Sequence, residues 1–399
     1  MSSTFAWVDF SEEDRQRMNA VVQLFQESET VDELGLGVVR DVFANMLFPG
    51  TSTIQTRARY HLFIPWIYRR HEKRGTSTAE IAKRARDDEI RLIDALVAND
   101  DKAGVIGAQK RAKLKGLPSA IYWAGLGQYG IRRFAGSQDE YHRSFGTRIR
   151  AIDASGDDDD DAPDHVSAWD HGLPDPPDDF PKVATLSLTE EEAQYLADKV
   201  DAIQPRSLLA LLIRKMGPSE DVELPWLHPD VPTLAARYQE QLEHARNFSE
   251  VFYGASLLYN LLLAEAQKSD EFIAIYGDAL DEWATELLAP RRKAHVAWSR
   301  DAFWALAGGT GVDARLRSFV DAWLSLVIDE ATDDVRKSPV ARQLLRDREW
   351  HLKKNRARLH NPRALERWTG QSGAFQAGYR WGRVRTIIGD IRRGLGRKP

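Results

Sequence analysis

The 399-residue sequence contains no cysteine, which excludes disulfide bonds, thiol nucleophiles and Cys-ligated zinc. The same absence fits a reducing compartment, and a cytoplasmic location is expected. Long apolar runs are missing too. The longest, Ala255 to Ala266, is interrupted by Asn260 and Glu265 and falls short of the ~18 residues a membrane-spanning helix needs, so no membrane association is expected. The opening MSSTFAWVDFSEED shows no basic start and no apolar core, so no secretory signal is evident. Alternating runs of β-branched residues are few, which points to a mainly α fold. The signatures HExxH, GxSxG, the P-loop and the dinucleotide fingerprint are all lacking. The ten His do not fall at metal-ligand spacings, so neither a metal nor a cofactor is expected. A binding protein is favoured over an enzyme.

Apolar residues make up 43% of the chain, with 12 Trp and 15 Phe, ample for a real core. The length suits two domains. The clearest boundary is Asp/Pro-rich: five consecutive Asp, Asp157 to Asp161, lie in a stretch with five Pro. By composition this reads as a solvated spacer, or as an acidic mimic of nucleic acid. The expected organisation is an N-terminal helical domain (1–150), an acidic linker (151–182) and a C-terminal helical domain (183–399) ending in a basic segment (336–399).

That basic segment gives the strongest functional hint. From Arg336 to Pro399 there are eighteen Lys/Arg and four Asp/Glu, a balance of +14, so the rest of the chain must carry −19 to reach the overall −5. A basic segment on an acidic body is a polyanion-binding arrangement, or a helical surface that contacts the acidic body.

Helical spacing is legible along most of the chain. Ser11 caps a helix running to about Glu29. Thr51, Ser52 and Thr53 follow a Pro49-Gly50 turn and are placed to cap a buried helix from Ile54, which Pro65 should kink or end. Thr189 and Glu192 form a capping box. Thr233 to Lys268 reads as a long core helix. Trp381, Val384, Ile387, Ile388 and Ile391 make one apolar face of a closing helix.

Three clusters carry candidate binding residues. Thr51, Ser52 and Thr53 with Arg57 and Arg59 could hold an anion at a helix N-terminus. The bland alternative is that the arginines pair with carboxylates of a neighbouring helix. Lys110, Arg111, Lys113 and Lys115 precede Tyr122, Trp123 and Tyr129 and are followed by Arg132 and Arg133. Basic residues beside aromatics can track a nucleic-acid backbone and stack bases, although such aromatics also build cores. Lys353, Lys354, Arg356 and Arg358, with Arg380, Arg383 and Arg385, flank a WTGQSG turn and could form one basic concavity. DNA or RNA is the expected partner. Arg346 and His351 match the Arg-x4-His pattern of helical HEPN-type ribonucleases, where such a pair acts on the ribose hydroxyl and the scissile phosphate. A metal-independent ribonuclease is therefore the rival reading, and a purely structural adaptor the third.

Five blocks, WVDFSEED, LFPGTSTIQTRARYHLFIPWIY, LPSAIYWAGLGQYGIRRF, YGASLLYNLLLAE and RARLHNPRALERWTGQSGAFQAGYRW, resemble an uncharacterised bacterial domain-of-unknown-function family. Its members are encoded in antiphage defence islands beside helicases and nucleases. The resemblance spans nearly the whole chain apart from the Asp-rich segment. It implies a subunit of a multi-protein defence system with helicase or nuclease partners, and brings no catalytic residues.

Overall fold

A computed structural model describes residues 32–99, 103–154, 168–308, 311–330 and 334–398. The Ser11-capped helix and the Asp157–Asp161 run lie outside the described residues. The fold is mainly α. Among the described residues no strand forms, and a single antiparallel bridge joins Arg132 to Trp169. No helix among them is long and apolar enough to cross a membrane. The chain divides into two compact units, each assembled from separated stretches. One comprises Met1–Phe43 with Glu240–Tyr379, the other Ala44–Gln239 with Arg380–Pro399.

The second unit is built on the helix Tyr60–Lys73. Its residues Tyr60 to Tyr68 are all buried, as expected of a helix that is apolar nearly all round. Pro65 lies inside it without ending it. The helix starts at Tyr60 and not near Ile54, because the preceding main chain is bonded elsewhere. The Thr56 and Arg57 N–H groups donate to Tyr122 Oη at 2.8 and 3.0 Å, and the Ala58 N–H donates to Asp390 Oδ2 at 3.0 Å. Thr51 and Ser52 bond locally: Thr51 Oγ1 donates to Phe48 O at 2.6 Å, and Ser52 Oγ accepts from the Gln55 N–H at 3.3 Å. Such short polar side chains offer the backbone an alternative to the helix.

Aromatic packing surrounds this helix. Tyr68 stacks on Trp169 (5.7 Å between centroids), Phe63 stacks on Phe180 (5.7 Å), and Trp66 Nε1 donates to Pro174 O at 2.6 Å. The helices Ile81–Ala98 and Pro118–Gln128 pack against it. The closing helix Trp381–Gly394 buries the face read from its spacing and lies on Glu190–Ile203 and Leu208–Arg214. The Thr189–Glu192 capping box forms as its sequence indicates.

The first unit is organised around the helix Ala236–Gln267, of which Glu240 onward belongs to it. Phe248 stacks on Phe252 and on Phe303, and Phe303 stacks on Phe43. Glu250, almost wholly buried, accepts hydrogen bonds from Arg246 at 2.6 Å and Arg291 at 3.0 Å, and contacts His295 Nε2 at 3.0 Å. Two π-helical turns, Trp283–Leu288 and Ser325–Asp329, interrupt its other helices.

Candidate nucleic-acid interface and polar cleft

In the second unit, Lys110, Arg111, Lys113 and Lys115 sit on and beside a 3-10 turn, Arg111–Lys113, and all four are exposed. The turn is pinned from below: Arg86 Nη2 donates to Ala112 O at 2.8 Å and Leu114 O at 3.0 Å. Arg111 pairs with Asp94 at 2.6 Å. Among the described residues no carboxylate pairs with Lys110, Lys113 or Lys115.

Arg132 has another role. Its guanidinium lies 4.8 Å from the Trp123 ring centroid and donates to Trp123 O at 3.2 Å and Gly136 O at 3.1 Å. Its partial burial lowers its pKa. Arg132 is therefore built into the loop, with Trp123 and Tyr122 in the core. Arg133 donates its main-chain N–H to Ala168 O at 2.8 Å.

Two clusters that are far apart in sequence meet in this unit. Arg380 Nη1 donates to Thr51 O at 2.7 Å and to Asn45 Oδ1 at 2.8 Å, and Arg383 Nε donates to Thr53 O at 3.3 Å. Arg385 Nη1 reaches Glu220 O and Val222 O, both at 3.1 Å. Arg392 donates to Leu212 O and Met216 O at 3.1 and 2.6 Å, and Arg397 to Arg214 O at 3.0 Å. A carbonyl partner orients a guanidinium without cancelling its charge. The last helix thus carries a positive charge that internal ion pairs only partly neutralise. Arg57 and Arg59 behave differently: Arg57 pairs with Asp390 at 2.9 Å and Arg59 with Glu192 at 2.7 Å.

In the first unit the basic run is split. Lys353 bonds Glu33, Tyr259 Oη (3.0 Å) and Glu349 (3.2 Å), while Arg358 bonds Glu33 (2.7 Å) and Ser372 Oγ (2.5 Å). Lys354 and Arg356 stand exposed on a 3-10 turn. Arg346 and His351 share the helix Pro339–Lys353, but five residues at about 100° each place them roughly 140° apart around it. His351 Nε2 lies 2.9 Å from Arg315 Nη1.

One site in the second unit was not anticipated. His71, in the last turn of Tyr60–Lys73, meets Asp88 of Ile81–Ala98 at the floor of an open polar cleft of about 370 Å³. Nε2 and Oδ2 are 3.3 Å apart, without hydrogen-bond geometry. His71 Nδ1 is 3.1 Å from Thr76 Oγ1, and Arg91 donates to Asp88 Oδ1 at 2.7 Å. Burial works to raise the Asp88 carboxyl, but the adjoining His71 ring and the Arg70 guanidinium outweigh it and hold it below its usual range. The sequence does contain a signal for this site. Ile81, Ala85, Asp88 and Leu92 fall on one helical stripe, and an aspartate on an apolar stripe asks for a partner. Among the described residues no three His, Asp or Glu side chains are placed to share a metal ion.

The chain belongs to the family of unknown function DUF6361, whose model matches residues 1–394. No curated protein and no solved structure matches it. Within this DUF6361 chain, the basic turn and the polar cleft both border the helix Ile81–Ala98, the turn through Arg86 and Asp94, the cleft through Asp87, Asp88 and Arg91.

Proposed function

We propose that this protein is a non-catalytic subunit of a multi-protein bacterial defence system, and that it binds DNA or RNA through the basic surface of the unit Ala44–Gln239/Arg380–Pro399. The observation that carries the reading is the pinned turn: Lys110, Lys113 and Lys115 are presented together on a backbone that Arg86 holds, with no carboxylate of the described residues to satisfy them. Cations fixed on a rigid turn can meet phosphates without first giving up an internal ion pair. The carbonyl-held arginines of the last helix add to the field. The defence setting and the helicase or nuclease partners are supported by the family resemblance of the motif blocks, and a cytoplasmic location by the cysteine-free composition.

The test is binding to labelled DNA and RNA across a salt series. Each phosphate contact contributes about 0.7 to 0.9 to the slope of log K against log salt. Replacing Lys110, Lys113 and Lys115 with Gln should therefore reduce the slope by about 2 to 3. If the wild-type protein, alone and with its genomic neighbours, shows no salt-sensitive binding, the reading is wrong. Co-purification with those neighbours tests the subunit role separately.

A further inference from the structure

We propose that Trp350 and His360, in the first unit, form a stacking platform for an unpaired base, and that this unit binds single-stranded DNA or RNA there. The platform takes none of its residues from the basic turn of the second unit, so either can fail without the other.

The exposed ring is the first observation. Trp350 is 40% exposed, whereas every other described tryptophan is 9% exposed or less. Tryptophan is ordinarily buried over most of its area. The helix Pro339–Lys353 buries Ala341, Leu345, Arg348 and Glu349, and Trp350 stands off that face. Its ring partner among the described residues is His360, also exposed, at 5.1 Å between centroids and 45° between planes. The mounting is the second observation. Glu349, next to Trp350 and wholly buried, accepts the Arg358 and Leu359 N–H groups at 2.8 and 2.9 Å and the Tyr259 hydroxyl at 2.5 Å. Asn361 Nδ2 donates to Asn355 O at 2.6 Å. These bonds lock the loop that carries His360 onto the helix that carries Trp350. The pair is thus held in place before a ligand arrives, and binding costs little further ordering.

The charges around the rings select the ligand. Arg346 precedes Trp350 by one helical turn and so shares its face. Lys354 and Arg356 follow on the 3-10 turn, and Arg363 is exposed just beyond Asn361. None of these four cations forms an ion pair with a described residue, and the exposed carboxylates on the same stretch are two, Asp347 and Glu366. Lys354 donates its main-chain N–H to Trp350 O and holds a φ of +50°. That conformation favours glycine, so a cation is kept here against the preference of the backbone. His351, beside Trp350, is held below its ordinary pKa by desolvation and by the charges of Arg315, Lys354 and Arg348, with Asp313 opposing. Cations around a lone aromatic suit phosphates around a base. A protein partner would call for a broader apolar patch. The exposed large apolar side chains of this helix are Val340, at its start, and Trp350 and Leu352, which two residues of helical rotation place on opposite sides. In a duplex the base faces are already stacked, so an open ring selects an unpaired base.

The experiment uses the full chain and labelled probes of one sequence: single-stranded DNA, the same strand as RNA, an abasic DNA strand of equal length, and duplex DNA. Trp350→Ala should weaken binding to at least one of the two single strands about tenfold. It should leave the abasic strand and the duplex nearly unchanged, and should not alter the slope of log K against log salt. Trp350→Phe keeps a ring and should retain most of the affinity. His360→Ala, at an exposed position, should weaken the same strand and carries the test should Trp350→Ala not fold. Lys354→Gly relaxes the backbone and removes a charge, so it should melt no lower than wild type and reduce the salt slope by about 0.7. Unchanged single-strand binding in Trp350→Ala and His360→Ala overturns the platform, as does an equal loss on abasic and duplex DNA. A Trp350→Ala protein that keeps its nucleic-acid binding but no longer co-purifies with a neighbouring protein overturns it in favour of a protein surface. Single-strand binding that survives replacement of Lys110, Lys113 and Lys115 with Gln and still depends on Trp350 upholds the platform and rejects the basic turn. The opposite pattern rejects the platform alone.

Discussion

Arg57 and Asp390 are 333 residues apart in sequence and meet through paired hydrogen bonds, Nε to Oδ2 and Nη2 to Oδ1, both at 2.9 Å. The Ala58 N–H at 3.0 Å and Arg393 Nη2 at 2.9 Å complete the shell of the carboxylate, whose side chain is 1% exposed. A buried ion pair contributes little relative to an apolar replacement, but breaking one leaves an uncompensated charge. Asp390→Asn should therefore cost about 3 to 5 kcal/mol in denaturant unfolding. The double variant Arg57→Met/Asp390→Leu should cost clearly less than the sum of the two single changes. Simple additivity would show that the two residues are not coupled.

This pair also shows where reading the sequence stops. Arg57 and Arg59 stand out because they interrupt an apolar stretch, and they can be read as an anion site or as partners of distant carboxylates. No local spacing encodes a partner 333 or 133 residues away. What local physics determines was legible: the helical class, the Thr189–Glu192 box, and the buried face from Trp381 to Ile391. The helix start at Tyr60 was not, because the N–H groups that would have extended it are taken by Tyr122 and Asp390. Nor was the meeting of Arg380 and Arg383 with the Thr51 and Thr53 carbonyls, which depends on how the last helix returns to the unit.

The neighbours Lys353 and Lys354 should part company on mutation. Lys353 sits between Glu33 and Glu349, so Lys353→Ala should lower stability by about 2 to 3 kcal/mol. Lys354 is exposed, and Lys354→Ala should stay within about 0.5 kcal/mol of wild type. Urea melts of the two variants side by side check this. Equal losses would mean that Lys353 is not held as described.

Gly254 lies buried within the long helix Ala236–Gln267, and a Cβ there would overlap the ring of Trp283, itself buried and bonded through Nε1 to Glu250 O at 2.8 Å. Two effects oppose each other in Gly254→Ala. Helix propensity favours alanine by about 1 kcal/mol, while overpacking costs about 1 to 3 kcal/mol. Because a bonded indole cannot move aside cheaply, the change should destabilise, by about 1 to 2 kcal/mol. Combining it with Trp283→Leu should remove the overpacking part. A variant that melts above wild type would reverse the sign of this argument.

The pH dependence of stability should contain two opposed contributions from the second unit. Burial pushes the Glu89 carboxyl up to about 7 from its usual 4.5, against the hydrogen bonds it accepts from Ser119. Burial pushes His61 down to about 4 from 6.5, against its contact with Ala58 O. Between pH 4.5 and 7 the folded chain keeps the Glu89 proton that the unfolded chain has released, so this contribution weakens as pH rises, by about 3 kcal/mol across the window. Between pH 6.5 and 4 the unfolded His61 takes up a proton that the folded one refuses, so this contribution is lost as pH falls, also by about 3 kcal/mol. The two slopes cancel where the windows overlap, from about pH 4.5 to 6.5. Glu89→Gln removes one slope and exposes the other: relative to wild type, its stability should fall more steeply on acidification from pH 6.5 toward 4.5. His61→Gln should do the reverse, gaining stability on acidification from pH 7 to 4.5, whatever fixed offset the new side chain brings. Urea unfolding at each half-unit of pH measures both, and parallel curves for wild type and Glu89→Gln would rule out the elevated carboxyl.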